Sequence, residues 1–178
     1  FSFDRDGPLD MRMNATATLS AATLVNNESC ETLTNIFKEF GEEPRAKKIA
    51  TAITRARKNQ AITRTAELKK IIQSVCGAHD IKPVARIFQA LRIAVNRELE
   101  MLTHFLNDVI SLLNIGGRFL CISYHSLEDR MIKTFMHTNA RTCICPPHFP
   151  VCMCDTTPTI KMITKKPIVP DTEEIEQN

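Results

Sequence analysis

The segment GGRFLCISYHSLEDR, residues 116–130, decides how the rest of the chain is read. Gly116 and Gly117 end what precedes them. Phe119, Leu120, Cys121, Ile122 and Tyr124 follow as a short apolar run of the kind that fills a buried strand. The run stops at His125. Ser126, with Asp129 three residues on, resembles the capping pattern that opens a helix. The pattern predicts a strand over 118–124, a polar turn, and a helix over 127–138. In an open α/β sheet ligands bind at the carboxyl ends of strands, so His125, Ser126, Glu128 and Asp129 are expected at such an edge.

Upstream, Pro83 suits the first turn of a helix, and an apolar stripe runs through positions 84, 88, 91, 95, 99, 102, 106, 109 and 113. Steps of three and four predict one long helix, or two with a break near Asn96. A long helix feeding a strand and then a second helix is the αβα unit of a doubly wound sheet. The fold class expected is therefore α/β.

Residues 20–82 read as helices only. The candidates are Ser20–Asn26, Glu31–Phe40, Glu43–Arg57 and a helix capped by Thr65 that ends at Gly77. Leu33, Ile36, Phe37 and Phe40 form one stripe, and Ala46, Ile49, Ala50 and Ile53 another. Each helix is too short to stand without its neighbours. Residues 1–13, FSFDRDGPLDMRM, mix charge with apolar side chains around the turn signal Asp6-Gly7-Pro8, which suits an ordered loop with a function. Beyond the central segment lie a Cys- and Pro-rich loop (140–158), an alternating stretch TIKMIT (159–164) expected as an edge strand, and a terminal helix opened by Asp171 and Glu174.

Charge is uneven. The net charge is +3, yet Arg45, Lys47, Lys48, Arg55, Arg57, Lys58, Arg64, Lys69 and Lys70 face only Glu67 between positions 45 and 70, a local +8. Such a block suits a phosphate backbone; on charge alone it equally describes a solvated helix face. No apolar run reaches membrane-spanning length and no signal-peptide pattern occurs. The chain has seven cysteines, an odd number, and four of them, Cys143, Cys145, Cys152 and Cys154, crowd into twelve residues. That favours a reducing compartment and a metal knot over a secreted disulfide framework. A zinc ion on four thiolates would draw the loop together, although the pairs are CxC rather than CxxC; free thiols in a packed loop are the alternative. Cys30, Cys76 and Cys121 fall on apolar stripes and read as core.

Asp6, Asp10 and Arg12 form a second polar group. A carboxylate there suits an exocyclic amine such as cytosine N4, or else pairs with Arg12 to hold the loop's shape. Glu128 and Asp129 read equally as helix-terminus residues. No G-x-S-x-G elbow and no glycine-rich phosphate loop is present.

Four blocks in order, FSFDRDGPLDMRM (1–13), IFQALRIAVNRELE (87–100), GGRFLCISYHSLEDR (116–130) and ITKKPIVPDTEEI (163–175), closely resemble the MraW/RsmH family. These are S-adenosylmethionine-dependent methyltransferases that modify the N4 amine of a cytidine in small-subunit ribosomal RNA. Gly41-Glu42-Glu43 and the basic helix after it match the family's helical insertion. The resemblance implies the C-terminal part of a class I, Rossmann-like methyltransferase sheet with an all-helical inserted subdomain. Residues 1–19 would be a loop of the catalytic domain, 20–82 the insertion, and 83–178 the returning catalytic domain. It also implies that the family's glycine-rich motif and acidic ribose-binding residue lie before Phe1 and its closing strand after Asn178. The chain then looks cut at both ends and inactive alone, and no cofactor residue is carried over. Tyr124 stands where Phe is usual and Asn14 where Asp is usual. The Cys-rich loop looks like a variant seen in part of the family.

On this reading Asp6, Asp10 and His125 are the candidates for accepting hydrogen bonds and a proton near the amine. Arg12, Arg45, Lys47, Lys48, Arg55, Arg57, Lys58 and Arg64 would hold RNA, with Lys161, Lys165 and Lys166 as a second contact. The partner expected is small-subunit ribosomal RNA or the assembled small subunit. The compartment expected is the bacterial cytoplasm, or an organelle matrix. The rival reading is a non-catalytic RNA-binding helical module with a zinc-stabilised Cys loop.

Overall fold

A computed structural model describes residues 4–146, 151–164 and 166–177. Among them are eight α-helices and no strand. The helices are α1 (Ala21–Asn27), α2 (Cys30–Glu39), α3 (Ala46–Ala56), α4 (Thr65–Cys76), α5 (Ile81–Asn96), α6 (Glu98–Leu112), α7 (Ser126–Asn139) and α8 (Thr172–Gln177). The chain divides into two compact units, one ending at Met101 and the other beginning at Leu102.

The first unit is a helical bundle. Each helix buries the stripe that its 3.6-residue period dictates. On α2 it is Leu33 and Phe37; on α3, Ala46, Ile49, Ala50 and Ile53; on α4, Leu68 and Ile72; on α5, Val84, Ile87, Phe88, Leu91 and Val95. α2 packs on α3 and α5, α3 on α4, and α1 on α3 and α5. The compact unit thus takes in α5, which the sequence reading grouped with the later residues. Ser20 and Ser29 cap α1 and α2 by accepting the N–H groups of Thr23 and Thr32. α5 ends at Asn96, Arg97 takes a left-handed conformation (φ 53°), and α6 starts at the next residue. Gly41 is required by space. A Cβ there would lie 2.8 Å from the carbonyl oxygens of Phe37 and Arg86.

The α/β expectation is overturned. Residues 118–124 and 159–164, expected as strands, have no regular secondary structure, and no Rossmann-like sheet is formed among the described residues. Leu120, Ile122 and Tyr124 are exposed, at 79%, 71% and 89%. The physical reason is that a strand is made by its neighbours. An apolar run supplies side chains for a buried sheet, but the ladder needs partner N–H and C=O groups from other segments. Here the Tyr124 N–H is taken by the Glu128 carboxylate (3.0 Å) instead. In the TIKMIT stretch, Thr159 donates its N–H to the Asn139 carbonyl (2.9 Å) at the end of α7.

In the second unit Phe119 stands between Phe105 of α6 and Phe135 of α7, with ring centroids 5.8 and 6.4 Å away. α8 opens with reciprocal bonds between Asp171 and Glu174, each side chain accepting the other's backbone N–H.

Candidate functional site

The loop carrying Asp6, Asp10 and Arg12 is built into the first unit. Leu9 and Met11 are buried in its core. Leu9 donates its N–H to Thr63 O (2.8 Å), and Thr65 donates its N–H to Gly7 O (2.9 Å), forming an isolated antiparallel bridge at Pro8 and Arg64. The carbonyls of Leu9 and Asp10 accept from Ala22 and Ala21 at the start of α1, each at 2.7 Å. Asn96 grips the loop twice: its Nδ2 donates to Met11 O and its Oδ1 accepts the Met13 N–H, both at 2.8 Å. Met11 itself is left-handed at φ 63° while buried, a costly backbone state that surrounding contacts must hold.

Asp10 faces Arg12 in a two-pronged ion pair, Nε to Oδ1 at 2.6 Å and Nη2 to Oδ2 at 2.8 Å. The Arg12 hydrogen bond holds the Asp10 carboxyl down at about 2. Arg12 Nη1 also reaches Ala15 O and Ala17 O. Asp6 accepts from Arg64 Nε at 2.7 Å and from the Ala66 N–H at 3.2 Å, which lowers its pKa. Ala66 lies in the first turn of α4, so Asp6 serves as that helix's N-terminal cap from a distant loop. Thr65, expected as the cap, is instead the first helical residue. Its hydroxyl accepts from Gly7 N–H and donates to Arg5 O.

The basic block separates into two groups. Arg45 donates to Asp80 (2.7 Å) and to the fully buried Glu43 carboxylate, which Arg86 also reaches. Arg57 donates to Val25 O (2.7 Å) at the end of α1, and Arg64 belongs to Asp6. These are braces of the bundle. Lys47, Lys48, Arg55 and Lys58 are exposed and unpaired among the described residues, on and just after α3.

In the second unit His125, not Ser126, is the N-cap of α7. Its Nδ1 accepts the Glu128 N–H while Glu128 Oε2 accepts the N–H of Tyr124, the residue before the cap. The side chain is 7% exposed. Nε2 is buried without a hydrogen-bond partner among the described residues, 3.3 Å from Glu128 Oε1 but not in bonding geometry. Asp6 and Asp10 thus belong to one unit and His125 to the other.

Arg130, Lys133, His137 and Arg141 are exposed along one face of α7 and line a shallow polar groove with Ser126, Asp129 and Thr134. The sequence reading passed over this stripe. Its signal was the spacing of three and four between basic residues. Lys133 pairs with Asp129 at 2.7 Å. Lys161 and Lys166 are exposed, and Lys165 lies outside the described residues.

Cys143, Cys145, Cys152 and Cys154 come together, their sulfurs all within 4.8 Å of one another. Cys154 accepts from the Thr156 hydroxyl and the Ile144 N–H and is held down at about 5. Cys143 is pushed up to about 12: the Cys145 N–H lowers it, but the neighbouring sulfurs of Cys152 and Cys154 outweigh that. The donor set is one that can hold a metal ion. Cys121, read as core, is exposed.

For S-adenosylmethionine the described residues show no fit. They form no glycine-rich turn between strand and helix. No helix among them is long and apolar enough to cross a membrane.

Comparison with known proteins gives a consistent result. The chain is 47% identical over 182 residues to a protein of Halothermothrix orenii named ribosomal RNA small subunit methyltransferase H, covering 100% of this chain and 58% of that protein. Proteins of the same name from Desulforapulum autotrophicum (47%, covering 59% of its length) and Thermomicrobium roseum (46%, covering 55%) also align with the whole chain. The chain therefore spans little more than half the length of these relatives. The family model described as the MraW methylase family matches residues 1–178, and the chain belongs to that family.

Proposed function

We propose that the protein containing this chain transfers a methyl group from S-adenosylmethionine to the N4 amine of a cytidine in small-subunit ribosomal RNA. The observation carrying this reading is the 47% identity to a protein named as an rRNA small-subunit methyltransferase, along the whole chain. This chain's share of the work is to bind and orient RNA. Lys47, Lys48, Arg55 and Lys58 form a cationic face for phosphates, and the α7 stripe offers a second.

The cytosine amine is a weak nucleophile, because its lone pair feeds the ring. Methylated, it becomes acidic and sheds a proton readily, so alignment matters more than a strong base. Asp10, at about 2, and Asp6 are poor bases but stay ionised as hydrogen-bond acceptors. His125 is the third candidate acceptor. The natural compartment for such an enzyme is the bacterial cytoplasm.

The test uses the full-length protein, labelled S-adenosylmethionine, and either deproteinised small-subunit RNA or assembled small subunits. Digestion to nucleosides and mass spectrometry should find N4-methylcytidine. Label on another nucleoside, or RNA binding without methyl transfer, overturns the proposal; the latter would favour a binding module.

A further inference from the structure

We propose that Cys143, Cys145, Cys152 and Cys154 form a structural zinc site that closes the 140–158 loop. In tetrahedral zinc thiolate the Zn–S bond is about 2.3 Å, which sets sulfur–sulfur edges of about 3.8 Å. The observed separations are 3.4 Å (Cys143–Cys152), 3.5 Å (Cys152–Cys154), 3.7 Å (Cys143–Cys154) and 4.0 Å (Cys145–Cys152). Two disulfides would leave two short contacts and the rest long. Four similar contacts around a common centre are the signature of a shared ligand.

The backbone supports the same arrangement. The residue in the middle of each CxC pair donates its N–H to the last cysteine of the other pair: Ile144 to Cys154 at 3.3 Å and Met153 to Cys145 at 3.4 Å. Cys145 N–H adds a bond to Cys143 at 3.4 Å. Three of the four sulfurs thus receive amide hydrogen bonds, which favour thiolate over thiol and orient ligands around a metal. Four neighbouring thiolates repel one another unless a cation sits among them.

The ligands are soft and all four are protein groups, which selects zinc over magnesium or calcium and leaves no open position for catalysis. What the ion would do is mechanical. The loop leaves α7 at Asn139 and returns at Thr159, whose N–H and hydroxyl both bond Asn139. A zinc knot between these points fixes an excursion that has no helix or strand among its described residues.

The experiment is metal analysis of the full-length protein, purified under reducing conditions without chelator, beside the variants Cys145→Ser and Cys152→Ser and the control Cys121→Ser. Expected are about one zinc per chain in the parent and control, and loss of stoichiometric zinc in both cluster variants with helical circular dichroism retained. Cobalt exchanged into the parent should give intense thiolate-to-metal charge-transfer bands and four-coordinate visible bands. Chelation should increase hydrogen exchange over 140–158 and leave α2–α5 unchanged. A metal-free parent, bound iron instead of zinc, six-coordinate cobalt spectra, disulfides among these cysteines by mass spectrometry, or cluster variants that keep their zinc would each overturn the proposal.

Discussion

The Asp6 carboxylate accepts the Nε–H of Arg64 at 2.7 Å across fifty-eight positions of sequence. Its other oxygen covers the Ala66 N–H. One acidic side chain therefore ties the DGPLDMRM loop to the start of α4. Replacing Asp6 with Ala should lower stability, as losing a helix N-cap does. Asp6→Asn should recover part of this, since an amide oxygen still accepts from Ala66. Urea unfolding of the full-length protein followed by circular dichroism reads both.

Asp10 supplies an acid-sensitive term in the same loop. Its pKa falls from 3.8 to about 2 in the folded protein because Arg12 hydrogen-bonds the carboxylate. A folded pKa below the unfolded one means stabilisation that is full above pH 3.8 and lost as pH falls through about 2. Carboxyl NMR titration should place the Asp10 midpoint near 2, and Asp10→Asn should remove this contribution to acid unfolding. A midpoint at the ordinary aspartate value would contradict the pairing.

Much of the bundle was legible in the sequence, because a helix's buried face is encoded locally. Ala46, Ile49, Ala50 and Ile53 recur at helical spacing and are all fully buried. The segment 118–124 was not legible in the same way. Its apolar run describes a side-chain inventory, whereas a strand is a relation with other segments. Caps were misassigned for a related reason. Ser126 and Thr65 have the favoured chemistry, yet His125 and the remote Asp6 reach the N–H groups. Likewise, charge density marked 45–70 as basic, but only the fold shows that Arg45 pairs with Asp80, Arg57 with the Val25 carbonyl and Arg64 with Asp6.

Gly41 tests the packing of α2 on α5. An added methyl would meet two backbone oxygens at 2.8 Å and the Ala90 Cβ at 3.3 Å. Backbone atoms cannot swing aside as a side chain can. Gly41→Ala should therefore destabilise by about 1–3 kcal/mol, as overpacking does. A thermal midpoint equal to the parent's would show that the helices separate freely there.

The sorting of basic residues makes the sharpest functional prediction. If Lys47, Lys48 and Arg55 each neutralise a phosphate, replacing one with Ala should reduce the slope of log affinity against log salt by about 0.7–0.9. Stability should hold within about 0.5 kcal/mol, because these side chains are exposed and unpaired among the described residues. Arg57→Ala should behave oppositely. Its guanidinium caps the Val25 carbonyl at the end of α1, where a positive charge also meets the helix dipole. That variant should lose stability and leave the salt slope unchanged in the folded protein. Filter binding of small-subunit RNA over a salt series, paired with urea melts, separates the two classes. A common slope change for Lys47→Ala and Arg57→Ala would mean that the braces, too, reach the RNA.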